Sequence, residues 1–139
     1  MSLFRIFDIA GSALNAQSVR MNATASNMAN ANSASSSSGA TYRARQPLFA
    51  PLIDDGFAAA GETASGVRVE GIVESQAPLR REYQPHHPLA DGQGYVFLPN
   101  VNVIEEMANM ISASRSYQTN VEVMEASKRM LQQTLALGQ

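Results

Sequence analysis

The sequence predicts an α+β protein in which a long helix at each end of the chain flanks a small inserted β-rich module. Two observations carry this prediction. Apolar residues recur every seven positions near both ends, and the stretch between them changes to alternation broken by Gly and Pro turns. We therefore expect three segments, residues 1–32, 33–100 and 101–139, with the first and third forming one coiled-coil-like layer.

The N-terminal helix is predicted from a narrow apolar stripe. Positions seven apart fall on one face of a helix, and a thin stripe is typical of a coiled-coil seam rather than of a broad core-facing side. Asn side chains compete for backbone hydrogen bonds, so a cluster of them predicts a stop near Asn32, followed by a Ser-rich linker over Ser33–Gly39. The stripe is Phe7, Leu14, Met21 and Met28, and the asparagines are Asn27, Asn30 and Asn32.

The C-terminal helix is predicted to begin at Val103 and to continue without Gly or Pro until Gly138. Asn102 can cap it, and Glu105, three residues later, can reach back in an Asn variant of the capping box. Its stripe repeats every seven residues, with further apolar residues four positions after three of its members. The stripe is Val103, Met110, Tyr117, Met124 and Leu131, and the additional residues are Met107, Val121 and Leu135.

These stripes allow two interpretations. Periodicity alone fits an ordinary helical hairpin inside one domain as well as it fits helices assembled from several subunits. The stripes are thin, however, and Ser18, Ser114 and Lys128 occupy positions within them. A hairpin would also leave Ile104 and Ile111 without a partner, which favours assembly with neighbouring molecules.

The middle of the chain is predicted to form short strands separated by turns. Pro47 cannot donate to a β-ladder, which places the first strand after it, and Gly71 marks a bulge in the second. Asp54–Gly56 and Asp91–Gly94 have turn compositions, and residues 61–66 form a small polar loop. The four predicted strands are Leu48–Ile53, Val67–Val73, Leu79–Tyr83 and Tyr95–Leu98.

Composition argues against several classes of protein. The 139-residue chain has a formal charge of −2 and no Lys/Arg runs, which argues against a nucleic-acid partner. It has no cysteine, so disulfides and thiolate metal sites are excluded. No stretch approaches the length of a membrane span, and no secretory signal is recognised, which by itself predicts a cytoplasmic protein.

One group of residues invites a metal hypothesis, the pair His86-His87 close to Asp91. A third His or Cys is lacking, and adjacent histidines in an extended loop point in opposite directions. The Gly92-Gln93-Gly94 sequence lacks the third glycine and the helix start of a nucleotide-binding loop. We therefore expect no metal, no cofactor and no catalytic residue.

Two parts of the sequence resemble one protein family. Ala25–Ser33 is similar to the N-terminal signature of bacterial flagellar rod and hook proteins, an Ala-rich helix that ends in an Asn-hydrophobic-Ala-Asn-x-Asn-Thr run. Pro99–Met107 and Ala113–Met124 are similar to the proximal-rod members of that family. Met28 stands where the signature usually has Ile or Leu, and Ser33 stands where it has Thr.

The resemblance implies a structural, non-enzymatic subunit of the flagellar basal-body rod, a tubular drive shaft that transmits torque. It implies self-association and contacts with other rod subunits, with the basal-body membrane ring and its rod adaptor, and with the flagellar type III export apparatus. Such export places the protein in the basal body, spanning the periplasm, and replaces the cytoplasmic prediction. The assembly interface is then expected to comprise both stripes, their additional residues and the three asparagines.

Two other classes remain as alternatives. A small cytoplasmic coiled-coil adaptor or export chaperone would carry similar helices and no secretory signal. An enzyme acting on the cell wall would need paired carboxylates in a cleft, whereas the acidic residues here fall in turns and on strand faces.

Overall fold

The computed structural model describes residues 3–52 and 66–137, and it has the α+β architecture that the sequence predicts. The predicted turn at Asp54–Gly56 and nearly all of the 61–66 loop lie outside the described residues. The elements in chain order are α1 (Leu3–Asn30), β1 (Arg45–Pro51), β2 (Val67–Glu74), β3 (Arg80–Tyr83), β4 (Tyr95–Leu98) and α2 (Val103–Leu137).

The two long helices pack along each other as an antiparallel pair. Near the middle of α1, Arg20 donates from Nη2 to Oδ1 of Asn109 at 3.0 Å. Towards the start of α1, Phe7 borders the same surface hollow as Met124 of α2. The start of α2 is capped as expected, because the N–H of Ile104 donates to Oδ1 of Asn102 at 3.1 Å.

The β-rich segment consists of two separate antiparallel hairpins, β1–β2 and β3–β4. In the first hairpin the register changes from a Leu48–Gly71 pair to a Phe49–Val69 pair. Glu70 is therefore the extra residue of a bulge, next to the glycine at which the sequence predicted one. This hairpin lies along α1, since the N–H of Val67 donates to Ser12 Oγ at 3.1 Å.

The first strand starts earlier than predicted. β1 begins at Arg45 and contains both Pro47 and Pro51. Arg45 directs its N–H away from β2, to Oδ1 of Asn27 on α1. Pro47, two residues further along the strand, therefore turns its ring nitrogen to the same outer edge, where no ladder hydrogen bond is lost.

The cluster of buried apolar side chains is small and lies where the end of α1 meets the residues that precede β1 and α2. Ala31, Ala44 and Val101 form it, with Tyr42 and Val103 packed against them.

Candidate functional site

The predicted stripe of α2 lies on the side of that helix that faces α1. Buried Glu106, Ala113 and Ser127 alternate with the half-buried stripe residues along this side. Up to about residue 127 these residues therefore contact α1 of the same subunit, and a further role between subunits stays a prediction. The half-buried residues predicted for the interface are Phe7, Leu14, Met21 and Met28 on α1, and Val103, Met110, Tyr117, Val121, Met124 and Leu131 on α2.

A second apolar row runs along the opposite side of α2. Ile104, Met107 and Ile111 are 79%, 53% and 56% exposed, and their three- and four-residue spacing aligns them. Two of them precede the buried positions Glu106 and Ala113 by two residues, which is roughly 200° around a helix. We call these three residues the outer stripe. The sequence identified Ile104 and Ile111 as residues that a simple hairpin would leave uncovered, and the structure leaves them uncovered.

The C-terminal end of α2 extends past α1. α2 has 35 residues and α1 has 28. The pairing of Arg20 with Asn109 and of Phe7 with Met124 places the start of α1 near residue 127 of α2. The last turns of α2 therefore project beyond its partner helix, and Met130 and Leu135 are exposed there.

Asn27 has a different place from the one predicted. Its side chain is 1% exposed, and it forms hydrogen bonds entirely inside the subunit. Oδ1 accepts from the N–H of Arg45 at 2.8 Å and from the hydroxyl of Tyr42 at 2.9 Å, while Nδ2 donates to the carbonyl of Arg45 at 2.8 Å. The Asn27 amide therefore binds both backbone groups of Arg45, as a neighbouring strand would do at this edge of β1. Because its hydrogen bonds are made within the subunit, it is not available to a neighbouring subunit.

The other two asparagines of the N-terminal signature differ from Asn27. Asn30 is half-buried, and its Nδ2 donates to the carbonyl of Ser26 within α1 at 2.8 Å. Asn32 is exposed just after the helix ends. Of the three, Asn32 is the one whose side chain is open to a neighbour.

Sequence reasoning missed a second structural asparagine, Asn100. Its Oδ1 accepts from the N–H of Ala44 at 2.8 Å, and its Nδ2 donates to the carbonyls of Ala77 at 2.9 Å and Ser75 at 3.3 Å. It joins the start of β1 to the loop after β2, directly before α2. In the sequence, the available signal was a polar residue between Pro99 and the apolar Val101. Val101 is buried, and a polar side chain next to a buried position needs hydrogen-bond partners from the backbone.

Asp91 lies between β3 and β4, and its side chain stabilises the turn that joins them. Its Oδ1 accepts the N–H groups of Gln93 at 2.8 Å and Tyr95 at 2.9 Å. The bond from Tyr95 is the main reason that the pKa of Asp91 lies below its ordinary value of 3.8, and the bond from Gln93 and the charge of Arg81 act in the same direction. Gly94 adopts φ +80°, where a side chain would also meet the Tyr83 ring.

The histidine pair belongs to a turn. Nδ1 of His87 accepts the N–H of Leu89 at 3.1 Å. Within residues 3–52 and 66–137, no three His, Cys, Asp or Glu side chains come together as a metal site would require. In the same part of the chain, neither helix has the length and apolar content needed to span a bilayer.

Comparison with known proteins gives two family matches. Residues 7–34 match the family described as flagella basal body rod protein. Residues 93–137 match the family described as the C-terminal part of the flagellar basal body rod FlgEFG proteins. These ranges contain most of α1 and all of α2.

Curated relatives cover the entire chain. It is 53% identical over 139 residues to the flagellar basal-body rod protein FlgC of Salmonella typhimurium and 54% identical to that of Yersinia enterocolitica, with both chains fully covered in each case. The protein of the same name from Borreliella burgdorferi is 36% identical over 151 residues, covering 100% of this chain and 99% of the relative. The chain belongs to the FlgC family of flagellar basal-body rod proteins.

Proposed function

We propose that this structural, non-enzymatic rod subunit assembles through the outer surface of its helical layer into a tubular drive shaft that transmits torque. Residues 1–32 and 101–139 would form the wall of the tube, and residues 33–100 would form the layer outside it. The observation that carries the proposal is the outer stripe, a row of three large apolar side chains on α2 that α1 does not cover.

The physical argument rests on the apolar surface of the outer stripe, which no other described part of the subunit covers. Exposed apolar side chains at helical spacing are typical of a helix that docks against another helix. The outer stripe and the α1-facing side lie on opposite sides of α2. One side of this helix is therefore covered by α1, and the apolar residues of the other side remain exposed. Contacts between unlike surfaces of successive subunits generate an open helical array, as a shaft requires, when the rotation between subunits does not close into a ring.

The wider set of partners follows from the same proposal. Other subunits of the rod would cover the outer stripe, and the two ends of the shaft would contact the membrane ring, through its rod adaptor, and the following rod segment. The subunit would reach this position, spanning the periplasm, by passing unfolded through the flagellar type III export apparatus. A core built largely of alanine and valine, without cysteine, suits a chain that must be threaded and then refold.

A paired substitution tests the proposal. In a flagellated bacterium lacking its own copy of this subunit, the Ile104→Asp/Ile111→Asp double variant should be exported but should build no rods. Its purified form should keep the thermal midpoint of the wild type, because both side chains are already exposed. Gln118→Asp, exposed further along the same side of α2, is the matched control and should assemble. Normal rods with the double variant would exclude the outer stripe as an interface.

The cytoplasmic adaptor or chaperone alternative makes a different prediction. An adaptor of that kind would remain with the cell body when basal bodies are purified, whereas a shaft subunit would be recovered in them. Quantifying the tagged chain in both fractions separates the two functions.

A further inference from the structure

Each hairpin has one strand edge that is open to solvent, and these edges belong to β2 and β3. Among the described residues, β2 pairs only with β1 and β3 only with β4. The outer edge of β1 is occupied by Asn27 and carries Pro47, whereas β2 and β3 contain no proline. The outer edge of β4 is also occupied, because Ser35 and Phe97 exchange two backbone hydrogen bonds of 2.9 and 3.0 Å. An open edge is a template for a further strand.

The open edge of β2 presents the backbone of Ile72 and Glu74. Arg45 lies opposite Glu74 but directs both of its backbone groups to Asn27, so the two strand residues form a non-hydrogen-bonded pair. In such a pair the backbone groups of both residues point away from the shared ladder. The N–H and C=O of Glu74, and those of Ile72 two residues earlier, therefore point outwards. The Glu74 carbonyl also accepts a hydrogen bond of 3.3 Å from the exposed side chain of Gln76.

The open edge of β3 presents the backbone of Arg81 and Tyr83 in the same way. Arg81 lies opposite Phe97, whose backbone groups form the bridge on the far side of β4. Tyr83 lies opposite Tyr95, whose C=O accepts the N–H of Asp91 and whose N–H donates to Asp91 Oδ1. Both are therefore non-hydrogen-bonded pairs, and the N–H and C=O of Arg81 and Tyr83 point away from β4.

We infer that the β2 edge of one subunit pairs antiparallel with the β3 edge of a second copy of this chain. Each edge offers two N–H and two C=O groups at a two-residue spacing, so Ile72 lies opposite Tyr83 of the second copy and Glu74 lies opposite its Arg81. In this register an apolar residue that is 54% exposed meets a tyrosine that is 62% exposed, and an acid meets a base. Cross-strand pairs of both kinds stabilise a sheet.

The charged side chains are free to make this contact. Within the subunit, Glu74 forms an exposed ion pair with Arg45 at 3.2 Å, and Arg81 approaches Asp91 only to 4.0 Å. Exposed pairs of this kind contribute little to stability, so they do not oppose a new partner.

The inference rests on the proposed assembly and adds to it a contact in the layer outside the helices, separate from the outer stripe. Because the two edges differ, each subunit offers one of each, and the contact repeats from one subunit to the next. A two-stranded hairpin is marginally stable by itself in water, whereas the joined hairpins form a four-stranded sheet.

Charge reversal tests the predicted register. In a bacterium lacking its own copy of the subunit, Glu74→Arg and Arg81→Glu should each give at least about tenfold fewer rods, because like charges then face each other at every contact. The double variant Glu74→Arg/Arg81→Glu should return to within about twofold of the wild type. Within the described subunit these two side chains form no ion pair, so recovery reports a contact between subunits. Arg68→Glu, also exposed on β2, is the control and should assemble normally.

A disulfide tests the same register by geometry, because the natural chain has no cysteine. Val73 lies opposite Glu82 of the second copy, between the two hydrogen-bonded pairs. Their Cα atoms would be about 4.5 Å apart, within the range of a disulfide. Oxidised rods of Val73→Cys/Glu82→Cys should therefore give covalent multimers on a non-reducing gel. Val73→Cys/Gln84→Cys moves one cysteine by two residues and should give at least about tenfold less of them.

The other outcomes count against the inference. Rods of Val73→Cys/Glu82→Cys that give no covalent multimers would exclude the pairing of these edges, and so would a charge-reversed double variant that does not recover. An equal loss of rods with Arg68→Glu would show that any reversed charge on β2 prevents assembly, which would also overturn it. These results would leave the proposed assembly intact. Failure of the wild-type chain to restore rods would overturn the proposed assembly and this inference together.

Discussion

Single amide side chains determine where the chain turns from helix to strand. Asn27 and Asn100 lie far apart in the sequence, yet they bind the adjacent residues Arg45 and Ala44. Each amide satisfies backbone groups at the start of β1 that no second strand reaches. Because a buried unpaired backbone group is costly, these two residues hold the helical layer and the first hairpin in one arrangement.

The Asn27→Ala substitution should lower the stability of the subunit by about 2–3 kcal/mol, because the N–H and carbonyl of Arg45 and the Tyr42 hydroxyl all lose a partner. The urea midpoint of purified protein measures the change. Asn32→Ala, exposed and five residues further on, is the control and should change the midpoint little. Equal effects of both substitutions would contradict the role assigned to Asn27.

Protonation of Asp91 should loosen the β3–β4 hairpin in acid. Its pKa is lowered in the folded state, so its contribution to stability is complete above about pH 3.8 and is lost as the pH falls through the lower, folded value. Amide exchange at Gln93 and Tyr95, corrected for intrinsic rates, should therefore accelerate only below about pH 4. Asp91→Asn keeps an acceptor oxygen but does not titrate, and its exchange should lack this step.

At the scale of elements, the length of α2 and the surface of α1 do not match. Along most of its length α2 packs against α1, and small side chains such as Ala113 allow a close approach. Beyond about residue 127 that support ends, while the helix continues to Leu137. Since helices in water depend mostly on packing of one face, the projecting end is the least stable part of α2.

Hydrogen exchange on the dilute subunit should reveal this decrease in stability towards the end of α2. Amides between Met110 and Met124 should be protected at least about tenfold more strongly than those between Leu131 and Ala136. In assembled rods the difference should shrink, because neighbouring subunits would cover Met130 and Leu135. Uniform protection of α2 in the dilute subunit would show that its end is already supported within one chain.

At the scale of the whole molecule, the rod subunit has only a small hydrophobic core within the described part of the chain. The buried hydrophobic residues are alanines and two valines, Val96 and Val101, within the described chain. Burial of side chains this small contributes little hydrophobic free energy per residue, so the stability of the isolated subunit should lie near the lower end for a domain.

We expect the dilute subunit to unfold with a free energy of roughly 5 kcal/mol or less and the assembled rod to resist far more denaturant. Comparing the urea dependence of α1 amide protection in the two states measures this directly. A dilute subunit whose α1 amides, Ala10 to Met28, stay strongly protected at moderate urea would contradict the expectation. Such a subunit would be stable before assembly.

The sequence by itself determined the elements of this protein and the family to which it belongs. Seven-residue periodicity and the Asn102 cap predicted α2 from Val103, and the asparagine cluster predicted the end of α1 to within two residues, because helix period and capping are local properties. Because proline cannot donate to a β-ladder, the predicted first strand starts after Pro47, later than the observed start at Arg45. The sequence does not reveal which edge of the strand faces away from β2. Edge assignment depends on the neighbour, and here that neighbour is Asn27.

Only the tertiary structure decided which side of each helix is already occupied. The same spacing predicts a stripe whether its partner is the other helix of the chain or a helix of the next subunit, because periodicity encodes a buried side but not what covers it. The structure pairs the predicted α2 stripe with α1, encloses Asn27, and leaves Ile104, Met107 and Ile111 outside. The burial of Glu106 was likewise invisible in the sequence, since two adjacent acidic residues at a helix start usually face solvent.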